Sequence, residues 1–402
     1  MINLELPKKI EDTRALLRQF SRDGLRPLSR KYDLAEQKEM PEELYELSKL
    51  LRARPNRGKD VGAQSAASGT SNRNGNNLSM VVSSAELCWG DVGLFLALPT
   101  IGLGNAAVSA VASAEQQAEW GELFAAMAIT EPGAGSDSAA IKTTAVLDGD
   151  EWVLNGEKIF VTDGYRSKQV VVWASLDLTL GKAAIKSFLV PKGTPGMTVT
   201  RVEHKLGIRA SDTAQIVLEN CRVPKANLLG NPEIATTAEA RKKAFGGVMQ
   251  TFDNTRPMVA AQAVGLARAA LDLTEELLAE QGIELDFEKS YHQMSAVEND
   301  LYELEAEYET ARLLVLKAAW MADNKQPNSR NASMSKAKAG RMGNQVALKC
   351  VEICGQLGYS KAQLLEKFAR DSKIIDIYEG TQQIQQLIVA RQVLGKGSSE
   401  LK

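Results

Sequence analysis

Apolar residues along this 402-residue chain recur at two different periods, and the period changes twice. Up to about residue 122 the spacing is helical. Ile10, Leu16, Leu17 and Phe20 define one amphipathic face, and Pro41-Glu42-Glu43-Leu44 reads as a helix start with acids in its first turn. Across 51–79 the pattern stops. Ser-Ala-Ala-Ser-Gly-Thr-Ser-Asn-Arg-Asn-Gly-Asn-Asn is polar and rich in turn residues, and reads as a loop. Helical patterning resumes at Met80 and runs toward Trp120. From about 123 the period becomes two. The run 152–160 reads as a hairpin with Asn155-Gly156 as its turn, and 170–174, 187–190, 197–202 and 214–218 read as short strands. From about 236 the helical period returns, near 255–279, 292–321, 334–357 and 364–377, with a short last helix at 384–394. The expectation is an α+β multidomain chain: a helical N-terminal domain (1–122), a central β-barrel-like domain (123–235) and a C-terminal four-helix-type bundle (236–402).

Charge narrows the partners. Lys and Arg number 48 against 50 Asp and Glu, a net charge of −2, so nothing favours nucleic acid or an anionic membrane surface. No apolar run reaches membrane-span length, and Met-Ile-Asn-Leu-Glu-Leu-Pro-Lys-Lys-Ile lacks the order of a secretory signal. A soluble cytoplasmic protein is expected. Cys88, Cys221, Cys350 and Cys354 form no Cys-x-x-Cys pair and read as buried thiols. His204 and His292 stand outside any metal-ligand spacing, so no metal site is expected and acid–base chemistry falls to carboxylates. Gly102-Leu103-Gly104-Asn105-Ala106-Ala107 fits a loose Gly-x-Gly-x-x-Ala, but a dinucleotide fingerprint needs a preceding strand. Helical flanks make close helix packing the better explanation.

Chemistry concentrates in Lys-Ile-Ile-Asp-Ile-Tyr378-Glu379-Gly380-Thr381-Gln-Gln383-Ile-Gln385. An apolar helix end delivers the carboxylate of Glu379 and stops at Gly380, and Thr381 then caps the last helix. Isoleucines around that carboxylate desolvate it and raise its pKa toward the range of a useful base. The bland alternative is a glutamate satisfied by helix-end amides. A second stretch, Thr130-Glu131-Pro132-Gly133-Ala134-Gly135-Ser136-Asp137, combines hydroxyls with glycines that let a ligand approach the backbone, without the ending of a P-loop.

Those two stretches, with Asn155-Gly156 through Thr162-Asp-Gly164, Lys205 through Asp212-Thr213, Phe252-Asp253-Asn254-Thr255-Arg256 and Arg370-Asp371, resemble the acyl-CoA dehydrogenases in family order from about residue 125 onward. The resemblance implies FAD, an acyl-CoA substrate, an electron-transferring flavoprotein as electron acceptor, and a homo-oligomer built as a dimer of dimers. It implies that Glu379 takes the α-proton of the thioester, with the N–H of Glu379 among the donors that stabilise enolate character, and that hydride passes to flavin N5 to give the trans-2-enoyl product. Ile129, Thr130, Ser136, Phe160, Val161 and Thr162 would line the flavin, with Phe160 where many members have Trp. Thr381 and Gln383 would touch the FAD of the site, and Glu352 and Gly355 that of a neighbouring subunit. Ser136, Asp253, Arg256 and Gly380 would contact substrate. On their own, Phe160 also reads as core and Asp253 with Arg256 as a helix ion pair.

Three stretches depart from the family pattern. Gly282 stands where an arginine usually reaches a partner's FAD, Glu352 replaces a neutral residue, and the polar loop at 51–79 replaces a segment that shapes the site. The alternative they raise is a cofactor-poor or non-catalytic subunit completing a hetero-oligomeric enzyme. Acyl chain length is not encoded in any of these motifs.

Overall fold

The computed structural model describes residues 5–35, 41–52, 75–99, 102–234, 238–397 and 400, with side chains at the start of the longest helix described only from Thr255. Helices come first: α1 (Lys8–Phe20), α2 (Ser29–Ala35), α3 (Glu42–Arg52), α4 (Asn76–Gly90), α5 (Val92–Ala97), α6 (Leu103–Val111) and α7 (Ala114–Trp120). Ile10 and Leu17 of α1 are buried but Leu16 is exposed, so its apolar face is narrower than expected. Most of the expected polar loop, 53–74, lies outside the described residues, and helix resumes at Asn76 rather than Met80. Asp91 separates α4 from α5: its backbone is extended, and its carboxylate accepts the N–H of Leu94 at 2.8 Å as an N-cap.

Among the described residues seven strands follow: β1 (Ala125–Ala128), β2 (Thr144–Asp148), β3 (Glu151–Thr162), β4 (Gln169–Ser175), β5 (Ile185–Pro191), β6 (Met197–Val202) and β7 (Thr213–Pro224). They form one curled sheet in the order β1-β4-β2-β3-β7-β6, with β5 added to β4. Strand β4 runs parallel to β1 and β2, and the other ladders are antiparallel. Its inner face is a core of its own, in which Trp152 meets Phe188 edge to face at 5.4 Å.

The hairpin expected at Asn155-Gly156 is not there. Strand β3 runs straight through those residues, and the turn lies one strand earlier at Gly149, φ +60, between paired Asp148 and Glu151. Gly156 marks an irregularity in the β3–β7 ladder, where a Cβ would come within 2.7 Å of Thr143 Cα. Close approach, not turn formation, requires that glycine. Gly102 and Gly104 do pack closely, but against a strand: a Cβ on either would collide with the carbonyl oxygens of Ala125 and Ala126 in β1.

The remaining helices are α8 (Ala238–Glu280), α9 (Ala296–Asp323), α10 (Ser329–Ile353), α11 (Gly355–Tyr359), α12 (Leu365–Ile375) and α13 (Gln382–Leu394). Helix α8 begins well before the expected 255. With α4, α9 and α10 it buries the largest core, including Val81, Val264, Leu271, Leu301, Val315 and Met342. Gly265 sets the α4–α8 approach, since a Cβ there would strike the Ala85 carbonyl. Cys88, Cys221 and Cys350 are buried and Cys354 is partly so, all as free thiols.

The sheet and the helices are joined by residues from two of the motif blocks. A Cβ on Gly207 would lie 2.6 Å from Asp371 Cα, and the Ile208 N–H donates to Asp371 at 2.5 Å. Asp371 and Asp91 in turn share the ammonium of Lys367, at 2.5 and 2.6 Å, and all three are buried. One ion cluster thus ties α5, α12 and the loop before β7.

Candidate functional site

Helix α12 ends at Ile375, and the chain then turns sharply to start α13. Glu379 occupies the turn with φ +55, and Gly380 follows at φ +94. A glutamate in the left-handed region persists only where its surroundings over-determine it. Here they do. The Gln385 amide donates to the carbonyls of Glu379 and Gly380 at 3.1 and 3.2 Å, and the Lys336 ammonium donates to Gly380 O at 2.7 Å. Below the turn, Tyr378 Oη donates to Gln262 Oε1 of α8. Thr381 caps α13 as expected, accepting from the Ile384 N–H at 3.4 Å.

This turn aims the Glu379 carboxylate at a narrow apolar cavity. Leu103, Ala106, Ala107 and Ala110 of α6 line it, with Met127 of β1, Trp173 of β4 and Thr255 of α8. Thr255 Oγ1 donates to Glu379 Oε2 at 3.3 Å. Glu379 keeps some solvent exposure as a residue, yet the atoms packed around its carboxylate raise its pKa, against the opposing pull of Thr255, Arg256 and Lys336. A carboxylate shifted this way is a stronger proton acceptor than one in water. Among the described residues the N–H of Glu379 donates to no backbone acceptor, which leaves it available to a ligand oxygen.

The second stretch sits at the end of β1. Glu131 is its buried hub: it accepts from Lys158 Nζ at 2.7 Å, Thr143 Oγ1 at 2.5 Å and the N–H of Lys142 at 2.6 Å. Burial alone would raise its pKa; these donors more than offset that and hold it below the usual range. Lys158 also donates to Ile129 O at 3.0 Å, fixing the strand end that carries Thr130. Beyond this hub, Gly133 and Gly135 have no positive φ, and a Cβ on either would meet no atom within 4 Å. Internal packing therefore does not account for these glycines, and the loop backbone faces open space. Ser136 is exposed on it.

Phe160 is not core. It is 61 % exposed, at φ +56, in a bulge between Lys158 and Val161 that turns its ring out of the sheet. Val161 points inward, buried at 1 %, so only its backbone is presented; Thr162 is partly buried. Thr381 and Gln383 flank the Glu379 turn, and the neighbouring Gln382 and Gln385 each bury an Oε1 with no hydrogen-bond partner. Arg256 is buried on α8; the side chain of Asp253 lies outside the described residues.

Glu352 and Gly355 stand apart. Glu352 follows Lys336 along α10 by sixteen residues, about 24 Å at 1.5 Å per residue, and Gly355 opens α11 beyond it. They are remote from the Glu379 turn of their own chain. Glu352 is exposed and its charge is met by Lys349 at 2.9 Å. Gly282 is also remote, beyond the far end of α8, and closes that helix: at φ +75 it lets the Ile283 N–H reach Leu278 O at 2.9 Å. An arginine there would carry a left-handed backbone.

Thr255, Lys336, Gln385 and the Glu131–Lys158 pair received no role from the sequence. Lys336 did carry a signal, sharing a helical face with Ala332, Ala339, Gly340 and Gly343. A wider groove between α1, α4, α8 and α9 holds Arg14, Arg18, Arg268 and Arg312, each paired with carboxylates. Among the described residues no His, Cys, Asp and Glu cluster could hold a metal, and no helix is long and apolar enough to cross a membrane.

Comparison with known proteins bears on this geometry. Residues 126–221 match the family model for the acyl-CoA dehydrogenase middle domain, and 245–394 that for the acyl-CoA dehydrogenase C-terminal domain. The chain is 39 % identical over 286 residues to the mitochondrial short-chain specific acyl-CoA dehydrogenase of Bos taurus, covering 70 % of this chain and 66 % of that protein. It thus spans about two thirds of the bovine protein's length in that match. Against the short-chain specific acyl-CoA dehydrogenase of Clostridium acetobutylicum it is 31 % identical over 400 residues, 98 % of this chain and all of the other. The structure of butyryl-CoA dehydrogenase from Megasphaera elsdenii superposes with a TM-score of 0.83 at 29 % identity, covering 98 % and 100 % of the two chains.

Proposed function

The chain belongs to the acyl-CoA dehydrogenase family, and we propose that it dehydrogenates a short-chain acyl-CoA across Cα–Cβ with FAD as cofactor and Glu379 as base. One observation carries the reading: a carboxylate of raised pKa, held in a left-handed turn, faces an apolar cavity. In this reading Glu379 takes the α-proton, and its unbonded N–H donates to the thioester carbonyl as enolate character develops. The apolar wall from Leu103 to Ala110, with Met127 and Trp173, receives the acyl chain and excludes water. Its narrowness and the short-chain relatives support a short acyl group. Ser136, Asp253, Arg256 and Gly380 would contact the substrate.

The residues present fit a flavin. Open glycines at 133 and 135 admit a pyrophosphate to the loop backbone, and the outward ring of Phe160 offers an apolar face to an aromatic system. Ile129, Thr130, Ser136, the backbone of Val161, Thr162, Thr381 and Gln383 would hold it. FAD, when bound, supplies the acceptor for the hydride leaving Cβ. Glu352, about 24 Å away along α10, and Gly355 at the start of α11 would serve the FAD of a neighbouring subunit in a dimer of dimers. An electron-transferring flavoprotein would reoxidise the enzyme.

The test is the visible absorption of the purified protein titrated with FAD, followed by anaerobic addition of butyryl-CoA. A flavin spectrum near one per chain that bleaches on addition is the expected result. A protein that takes up no FAD would overturn this reading in favour of a non-catalytic subunit. Phe160→Ala should weaken FAD binding by about fivefold, since a stacked aromatic contact is worth about 1 kcal/mol. Equal affinity for FAD in the variant would remove Phe160 from the site.

A further inference from the structure

Lys336 projects from α10 into the protein with no solvent exposure, and the chemistry above leaves it unused. It reaches the underside of the Glu379 turn because α10 packs there through small residues. A Cβ on Gly340, one turn along, would lie 3.2 Å from Asp376 Cα. The ammonium ends 2.7 Å from Gly380 O, and the charged groups facing it are Asp376 from the end of α12, Glu379 itself, and Arg256 from α8. Asp376 has Lys373 3.8 Å away on its other side. A methionine would fill the same space; only the lysine supplies both a donor and a positive charge.

We propose that Lys336 is the positioning residue for Glu379: its hydrogen bond to the Gly380 carbonyl holds the strained turn that aims the carboxylate, and its ammonium joins the Arg256 guanidinium in placing positive charge beside that carboxylate. The inference rests on the reading of Glu379 as the base. The turn has two sets of donors, Gln385 and Lys336, and of these only Lys336 carries charge. Burial favours the neutral acid form of Glu379, and a cation under the turn opposes that preference. The same burial lowers the pKa of Lys336 to about 8, so the ammonium persists at neutral pH while remaining sensitive to any change in its neighbours.

Three variants separate the two contributions. Lys336→Met removes hydrogen bond and charge, Lys336→Gln keeps a donor without charge, and Lys336→Arg keeps both. The readout is the Glu379 protonation midpoint, followed through the protonated-carboxyl infrared stretch after subtraction of the Glu379→Gln spectrum. Beside it stand kcat and KM for butyryl-CoA. Lys336→Met should raise the midpoint by about one pH unit, the size expected for loss of a nearby opposite charge, and lower kcat by about tenfold with little change in KM. Lys336→Gln should raise the midpoint similarly and recover part of kcat; Lys336→Arg should restore the parent midpoint. A midpoint in Lys336→Met equal to the parent's overturns the proposal. Should that variant fail to fold, Lys336→Gln at the parent midpoint overturns it equally. A shifted midpoint in a chain that bleaches with no acyl-CoA sustains the positioning role and sinks the dehydrogenase reading instead.

Discussion

Glu379→Gln should lower acyl-CoA dehydrogenation by about a thousandfold, within the range that general base catalysis contributes. Glutamine matches the size of glutamate and can still accept from Thr255 Oγ1, so the turn between α12 and α13 should stay in place with Gln385 and Lys336 holding its carbonyls. An amide cannot take the α-proton. The expected pattern is therefore a folded protein that binds FAD like the parent and bleaches slowly or not at all with butyryl-CoA. Bleaching at the parent rate would remove Glu379 from the reaction. The parent's pH profile carries the same signature. Burial raises the Glu379 pKa, so the protonated, inactive form takes over on acidification at a midpoint above the ordinary glutamate value of about 4.3. A midpoint at or below that value would mean the carboxylate stays hydrated in the active protein.

Lys367→Met should destabilise the fold by about 3–5 kcal/mol, the cost of leaving buried charge without its partner. Lys367 lies between Asp91 and Asp371, which also accept the N–H groups of Leu94 and Ile208. Burial disfavours the ammonium, but the two carboxylates more than offset this and raise its pKa. Without it, two buried carboxylates face each other with no cation between them, and Asp371, whose pKa burial already raises in the parent, is driven further toward the neutral acid. Stability from such a pair is present below the unfolded pKa and lost as pH rises through the folded one, so the deficit of the variant should be full at neutral pH and shrink toward acid. Denaturant unfolding at several pH values measures this. A deficit independent of pH would mean that packing, not charge, is what Lys367 contributes. Because the cluster ties α5, α12 and the segment before β7, the loss should appear in the global transition rather than in local fraying.

Much of the fold is legible in the chain. The change from helical to alternating period marks where helices give way to strands, because each element buries one face and therefore repeats at its own pitch. The misreadings share one cause. Asn155-Gly156 has the composition of a hairpin turn, but its glycine answers to Thr143, which belongs to the preceding strand's approach. Gly102 and Gly104 look like helix–helix spacers and instead meet the carbonyls of β1. In each case the local signal is correct in kind, a place where a side chain does not fit, and silent on what occupies the space.

The candidate site divides the same way. Sequence by itself determines the residue types, their order and the local breaks: a carboxylate at a helix end before Gly380, a threonine able to cap α13, glycines beside Thr130, and an aromatic at 160. Only the tertiary structure decides what those groups do. It turns Phe160 outward at a bulge and gives Glu131 to the buried Lys158. It brings Thr255 to the Glu379 carboxylate across 124 residues and Lys336 to the Gly380 carbonyl across 44. The physical reason is range. Backbone preference and capping are settled by neighbours within a turn or two of the chain. Desolvation, electric field and close approach depend on every atom within a few ångströms, whichever part of the sequence supplies it.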